Sequence, residues 1–120
     1  MFGMWLRTQT DVRLLGTWRS DYDRTVAELS ARPDLPDTSK AKLASLIGKL
    51  ELRYTRRYCY SKLEECERRS RYRVLGTDAA SVAILAEGQI HHIHFDGDAY
   101  WMTLGASNVR EFFRRVRDDR

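Results

Sequence analysis

The sequence predicts an α+β fold: a curved antiparallel meander of about six strands, with a helix pair after the first strand and an amphipathic helix at the C-terminus. Three observations lead to this fold class. Apolar and polar residues alternate over residues 12–19 and again over most of residues 50–104. Helical periodicity replaces that alternation over residues 20–50 and after residue 108. The pair Asp96-Gly97 separates two alternating runs, which is typical of a tight hairpin turn.

The first strand is predicted over residues 12–19. Its alternate residues Val12, Leu14 and Trp18 are apolar and would share one face of the strand. Gly16 lies on the same face, and a glycine inside a strand indicates a bend or a close backbone approach.

Two helices are predicted to follow the first strand. Ser20 would open the first helix, with Asp23 in an approximate capping-box position, and Pro33 would end it near residue 31. Thr38 is the expected N-cap of the second helix. The second helix has apolar residues at i, i+3, i+4 and i+7, which predicts one buried face: Leu43, Leu46, Ile47 and Leu50.

The meander is predicted to begin with a strand over residues 50–60 and a hairpin turn near residues 62–65. Further strands are expected at residues 69–74, 81–86, 90–95 and 99–104. In the last hairpin, the alternation predicts one face with Ile93, Phe95, Tyr100 and Met102, and the opposite face with His92, His94 and Trp101.

The C-terminal segment is predicted to be a helix that begins at Asn108, with Glu111 in the reciprocal capping position. Val109, Phe112, Phe113 and Val116 stand at i, i+3, i+4 and i+7. The residues expected in the core are Trp18, Leu46, Ile47, Ile93, Phe112 and Phe113.

The composition is that of an ordinary folded domain. The chain has 120 residues, 42% of them hydrophobic, so we expect one domain over residues 1–120. The N-terminal apolar run stops at Arg7 without a basic start or a cleavage site, so no signal peptide is expected. No run of about 20 apolar residues is present, so no membrane association is expected and the cytoplasm is the default location.

A short motif on the first strand resembles a hallmark of the calycins, the group that includes lipocalins and fatty-acid-binding proteins. It is Gly16-Thr17-Trp18, a Gly-x-Trp sequence. The helix pair between the first two strands, followed by an antiparallel meander, is similar to the intracellular fatty-acid-binding proteins. The resemblance covers most of the chain in element order and implies a partial barrel.

Two departures from that family affect the expected function. The fatty-acid-binding proteins form a closed barrel of ten strands, whereas this sequence predicts about six strands and a terminal helix. Around eight strands are needed before a barrel interior can hold a small ligand. A large internal lipid cavity is therefore not expected.

An aromatic and basic cluster is the candidate ligand-binding site: Tyr54, Arg56, Tyr58 and Tyr72. Alternation over residues 50–60 would place the first three, with Tyr60, on one face. Arg56 and Tyr58 could hold a carboxylate or phosphate, and the resemblance implies an Arg-x-Tyr pair for a ligand carboxylate, although the family has it on its last strand. In the alternative, preferred interpretation, the tyrosines pack at the edge of the core and Arg56 pairs with a carboxylate.

The histidines and cysteines are candidate metal ligands. His92 and His94 would share a strand face, but a metal site needs at least one more ligand, and the chain has only three histidines. A polar strand face is the preferred interpretation, and no metal or cofactor is expected. Cys59 and Cys66 lack zinc-site spacing and could face each other across a hairpin, although a reducing compartment would leave them as thiols.

A basic stripe is expected on the outer face of the predicted hairpin. The net charge is +4, and the stripe contains Arg53, Arg57, Arg69, Arg71 and Arg73. The C-terminal segment adds Arg110, Arg114, Arg115 and Arg117. No interleaved aromatic residue is expected on this face and glutamates neutralise part of it, so a solvated charge face is the preferred interpretation.

The expected function is that of a non-enzymatic module. No nucleophile elbow, phosphate-binding loop or dinucleotide-binding motif occurs in the sequence. The module would bind a small anionic or amphipathic ligand, or form a homodimer through the open edges of a short sheet. The alternative function is a basic adaptor for nucleic acid or an acidic protein.

Overall fold

A computed structural model of the chain describes residues 10–104 and 107–120. Eight antiparallel strands follow one another around a closed barrel, in which the last strand pairs with the first. The strands are β1 (Gly16–Ser20), β2 (Leu50–Tyr54), β3 (Tyr58–Leu63), β4 (Cys66–Thr77), β5 (Ser81–Ala86), β6 (Gln89–Asp96), β7 (Ala99–Thr103) and β8 (Arg110–Asp118). A 3₁₀ helix (Val12–Leu14) precedes β1, and helices α1 (Tyr22–Ser30) and α2 (Asp37–Ala44) connect β1 to β2.

The antiparallel sheet and the helix pair agree with the sequence prediction, but the strand count is eight rather than about six. Among the described residues, no helix has the length and apolar character to cross a membrane. The N-terminal residues that bear on the signal-peptide expectation lie outside the described residues.

One extra strand arises because the predicted strand over residues 50–60 is two strands joined by a turn. The turn is closed at Thr55, whose backbone N–H donates to the carbonyl of Tyr58 at 2.9 Å. The Tyr58 N–H donates in return to the Thr55 hydroxyl at 3.1 Å. Tyr54 pairs with Cys59 across this turn, so Cys59 shares the face of Tyr54 and Tyr58 points to the opposite face.

The other extra strand replaces the predicted C-terminal helix. Phe112 and Phe113 are adjacent and both are buried, since they lie on opposite faces of β8. Phe113 points into the barrel, with its ring centroid 5.0 Å from that of Tyr100. Phe112 lies outside the barrel, and its backbone N–H donates to the hydroxyl of Thr25 in α1 at 2.9 Å. Two buried faces therefore produce the i, i+3, i+4 spacing that the sequence shares with a helix.

The first predicted strand and the predicted helix caps also differ from the structure. Residues 12–14 form the 3₁₀ helix, so β1 begins only at Gly16. Asp21, not Ser20, caps α1 by accepting a hydrogen bond from the Arg24 N–H. No side chain caps α2, which Pro36 precedes, so Thr38 is not its N-cap.

The predicted core is correct except at one position. Trp18, Ile47, Ile93, Phe112 and Phe113 are buried, and no more than 4% of any of them is exposed. Leu46, in contrast, is 56% exposed, because α2 ends at Ala44 and the apolar spacing does not continue on a helix. Ile47 packs instead with Leu29 of α1 and Val109 in a small cluster beneath the helices.

The barrel closes where β1 meets β8. The guanidinium of Arg115 lies 4.2 Å from the centre of the Trp18 ring and donates to the carbonyls of Arg13 and Leu15 at 2.6 Å and 2.7 Å. The Trp18 indole N–H donates to the carbonyl of Leu14 at 2.9 Å. These contacts join the 3₁₀ helix, β1 and β8 at one end of the barrel.

Gly16 permits the closest approach of the two strands. Its φ is +129°, and a Cβ built at Gly16 would lie 2.1 Å from the carbonyl oxygen of Arg117. A side chain at this position would force the strands apart as well as strain the backbone. This steric constraint explains the glycine two residues before Trp18.

We predict that Gly16→Ala lowers the free energy of unfolding by about 2 kcal/mol or more, because it combines a positive φ with a backbone clash. Gly76→Ala is the matched control, since a Cβ at Gly76 would meet no atom within 4 Å. The control should stay within about 0.5 kcal/mol of the parent protein in urea unfolding. Equal stabilities for the two variants would show that the β1–β8 contact does not constrain residue 16.

Candidate functional site

Strand pairing identifies the side chains that point into the barrel. Directly paired residues of antiparallel strands share a face, so the pairs that include buried core residues define the interior. We call the end of the barrel next to α1 and α2 the helix end. Inward-pointing residues of the helix end are Leu50, Leu52, Cys59, Ser61, Ser70, Ile84, His91, Met102 and Glu111.

The two ends of the interior differ in packing. At the end opposite the helices, Trp18, Ile93, Tyr100 and Phe113 are each no more than 1% exposed, whereas Val74 and Phe95 are half-buried. At the helix end, six inward residues are only half-buried: Leu50, Cys59, Ser61, Ser70, His91 and Met102. Inward side chains with exposed surface are therefore more numerous at the helix end than at the opposite end.

A cleft between β6 and β7 opens toward the helix end. The two strands pair only from His94–Trp101 to Asp96–Ala99. Further along, β6 stays paired with β5 and β7 stays paired with β8, so the two strands separate. The cleft has a volume of about 840 Å³ and is lined by Gln89, Ile90, His91, His92, His94, Trp101, Met102 and Thr103. Of these lining residues, His91 and Met102 point into the barrel interior.

The outer rim of the cleft is aromatic. The rings of His94 and Trp101 are stacked, with centroids 4.0 Å apart and planes inclined by 15°. The guanidinium of Arg110 lies 5.2 Å from the centre of the Trp101 ring. The predicted division of this hairpin into two faces is confirmed, because Ile93, Phe95, Tyr100 and Met102 pack in the barrel core.

The predicted metal candidates lie on this outer rim. His92 is exposed, and the ring of His94 is stacked on Trp101. Within residues 10–104 and 107–120, no group of three or more His, Cys, Asp or Glu side chains is arranged to hold a metal ion.

Neutral phenols and a thiol line the deeper interior. The hydroxyls of Tyr54 and Tyr100 lie 3.1 Å apart, and the Tyr72 hydroxyl donates to the carbonyl of Thr55 at 2.6 Å. Burial raises the pKa of Tyr54 and Tyr100 well above 10, and it raises the pKa of Tyr72 and of the Cys59 thiol to about 12. These groups are therefore uncharged at neutral pH and offer hydrogen bonds without charge.

The two cysteines do not face each other. Cys59 pairs with Ser70 and points inward. Cys66 pairs with Leu63 beside the turn between β3 and β4 and is exposed. Both are free thiols. The expectation that they could meet across the hairpin is wrong because the β3–β4 register offsets them.

Glu111 is a buried carboxylate on the inner face of β8. It is 5% exposed and accepts a hydrogen bond from the Ser20 hydroxyl at 2.7 Å. The Ser20 oxygen in turn accepts from the Gly48 N–H at 3.0 Å, which joins this pair to the segment after α2. Burial raises the pKa of Glu111, only partly offset by the hydrogen bond from Ser20.

The structure divides the predicted ligand-binding residues between two surfaces. Tyr54 and Tyr72 point into the barrel and are buried. Arg56 lies exposed in the turn between β2 and β3, and Tyr58 lies on the outer face. The four residues therefore do not form one face, because the turn at residues 55–57 reverses the alternation.

The sequence reasoning did not select His91, Met102 or Glu111. Alternation places His91 on the face of Ile93, which was the available signal for an inward histidine. Glu111 had been assigned to a helix cap. The cleft itself depends on where β6 and β7 stop pairing, for which the sequence has no local signal.

The outer face of β2, β3 and β4 also differs from the prediction. Tyr58 and Tyr60 lie there among Arg53, Arg69 and Arg71, so aromatic residues are interleaved with the basic stripe. The expectation of a purely charged face is wrong for the same reason, the turn at residues 55–57.

Comparisons of the chain with protein-family models, curated proteins and solved structures find no match. The functional interpretation therefore depends on the geometry described above.

We predict that the stability of this protein falls as Glu111 ionises. The folded-state pKa lies above the ordinary value of 4.5, so the stabilising contribution is complete below pH 4.5 and is lost as the pH rises through the folded-state pKa. Glu111→Gln removes this titration. The free energy of unfolding of the variant, minus that of the parent, should therefore increase between pH 4 and pH 7 in urea titrations. A difference that does not vary with pH would contradict the assignment.

Proposed function

We propose that this protein is a calycin-like barrel that binds one small amphipathic molecule in the helix end of its interior. The ligand enters through the cleft between β6 and β7. A closed antiparallel barrel of eight strands is compatible with the calycin fold, and eight is about the smallest number of strands at which a barrel interior can hold one small ligand instead of side chains alone. A large internal lipid cavity was not expected because the sequence predicted about six strands, but the barrel has eight.

The observation that most supports a ligand site is the exposure of side chains that point inward. His91 and Met102 point into the barrel from the two sides of the cleft, and both are half-buried. Ile93 and Tyr100, which also point inward from β6 and β7, have no exposed surface by comparison. A molecule that occupied this space would bury apolar area that is now in contact with water.

The lining favours a ligand with an apolar body and a polar group that can form hydrogen bonds. Leu50, Leu52, Ile84 and Met102 supply apolar walls, whereas Ser61, Ser70, His91 and Glu111 supply hydrogen-bonding groups. This combination is typical of small-molecule sites, in which a few polar groups orient the ligand. An anionic ligand was expected mainly because of Arg56, which lies outside the barrel in an exposed turn.

Self-association has less support than ligand binding. The homodimer was expected because a short open sheet would leave unpaired edges. The β1–β8 pairing closes the barrel and satisfies those edges. A ligand-binding module therefore accounts for more of the geometry.

We predict that Met102→Trp weakens binding of N-phenyl-1-naphthylamine, a fluorescent probe with an apolar body and one N–H group, by about tenfold or more. The larger side chain would fill the cleft where Met102 points inward. Val116→Trp is the matched control, because Val116 is 51% exposed on β8 and does not line the cleft. Fluorescence titration measures both, and circular dichroism verifies that both variants fold.

The same titration separates the interior site from the outer residues. Arg56→Ala and Tyr58→Phe should leave probe binding unchanged, since neither side chain points into the barrel. Weaker binding in these two variants, together with normal binding in Met102→Trp, would place the ligand on the outer face and contradict the proposal.

A further inference from the structure

Two tyrosines and three arginines form a continuous patch on the outside of the barrel, on β2, β3 and β4. This Tyr/Arg face consists of Arg53, Tyr58, Tyr60, Arg69 and Arg71. Tyr60 pairs with Arg53 on one side and with Arg69 on the other, and Tyr58 pairs with Arg71. Because paired residues share a face, all five side chains point to solvent together.

The tyrosine rings and the guanidinium groups are in contact. The guanidinium of Arg53 lies 3.9 Å from the centre of the Tyr60 ring, and that of Arg69 lies 4.6 Å from the centre of the Tyr58 ring. The two ring centroids are 6.3 Å apart. Both tyrosines are half-buried and Arg69 and Arg71 are exposed, so flat aromatic and cationic groups alternate on an accessible surface.

The arginines of this face form no ion pair with a carboxylate of the described residues. In the part of the chain that the structure describes, ion pairs involve Arg13, Arg24, Arg32, Arg68, Arg110, Arg115, Arg117 and Arg120. None of these ion pairs includes Arg53, Arg69 or Arg71. Arg19 of the neighbouring strand β1 also lies on the outer face, opposite Glu51 of β2, and the chain carries a net charge of +4. The face is therefore suited to an anionic partner.

We propose that the Tyr/Arg face binds single-stranded nucleic acid. Unpaired bases stack on Tyr58 and Tyr60, and the phosphates pair with the guanidinium groups of Arg53, Arg69 and Arg71. A groove or face with both stacking rings and positive charge is the usual way in which proteins hold single strands without reading their sequence.

Other anionic partners fit this face less well. In a duplex the base faces are stacked on one another, so they cannot reach tyrosine rings on a protein surface. An acidic protein segment would use the arginines but would leave the aromatic rings without a partner. The face also lies on β2–β4, away from the cleft between β6 and β7, so the proposal is independent of ligand binding in the interior.

Fluorescence anisotropy with a labelled twelve-nucleotide oligothymidine at 50 mM salt tests the proposal. The double variant Tyr58→Ala/Tyr60→Ala should bind about tenfold or more weakly, since each stacked base contributes substantially to affinity. Tyr58→Phe/Tyr60→Phe keeps the rings and should bind within about twofold of the parent. Tyr22→Ala is the matched control, because Tyr22 is a 50% exposed tyrosine on α1.

Salt dependence tests the phosphate contacts separately. Arg69→Gln/Arg71→Gln should lower the slope of log K against log salt by about 0.7 for each phosphate contact removed. Tyr58→Ala/Tyr60→Ala should lower affinity at every salt concentration and leave that slope unchanged. Circular dichroism and urea unfolding verify that all variants are folded.

Three outcomes would overturn the proposal. One is the absence of oligothymidine binding by the parent at 50 mM salt. Another is equal affinity for a duplex of the same length. The third is a Tyr58→Ala/Tyr60→Ala variant that binds as well as the parent, which would mean that charge alone attracts the strand.

Discussion

The contact between Arg115 and Trp18 holds the closed end of this barrel together. The half-buried guanidinium covers the indole ring and donates to two backbone carbonyls of the segment before β1, and the indole N–H donates to a third. Burial lowers the pKa of Arg115, but a guanidinium stays charged in proteins, so these charge-assisted hydrogen bonds persist. Because Arg115 is on the last strand and Trp18 on the first, this interaction depends on β1–β8 pairing and stabilises it.

The barrel is packed densely at the end opposite the helices and less densely at the helix end. Large side chains fill the barrel around Tyr100 and Phe113, so the fold does not need tight packing where β6 and β7 separate. The interior there combines apolar walls with a few hydrogen-bonding groups, whereas arginines are concentrated on the outer face of β2, β3 and β4. The two proposed binding surfaces thus differ in chemistry, one inside the barrel and the other on its outer face.

The sequence predicted the parts of this fold that depend on local patterns, and it failed where several arrangements share a pattern. Asp96-Gly97 and the alternation around Ile93 correctly indicated the β6–β7 hairpin. Phe112 and Phe113 have helical spacing only because both faces of β8 are covered, which no local pattern can reveal. At Thr55 the alternation of tyrosine and arginine continues through a turn, so Tyr58 was assigned to the wrong face. The candidate cleft depends on the length of strand pairing, which is a property of the whole barrel.

Nuclear Overhauser spectroscopy on the labelled protein tests barrel closure most directly. The account predicts cross-strand contacts between β1 and β8, including Ser20 with Phe113 and Arg19 with Arg114, together with the strong sequential Hα–HN contacts of extended chain over residues 110–118. Medium-range Hα–HN contacts between residues i and i+3 over residues 108–117, without contacts to β1, would show that this segment is a helix. In that case the barrel would be open, and the interior site would lose its structural basis.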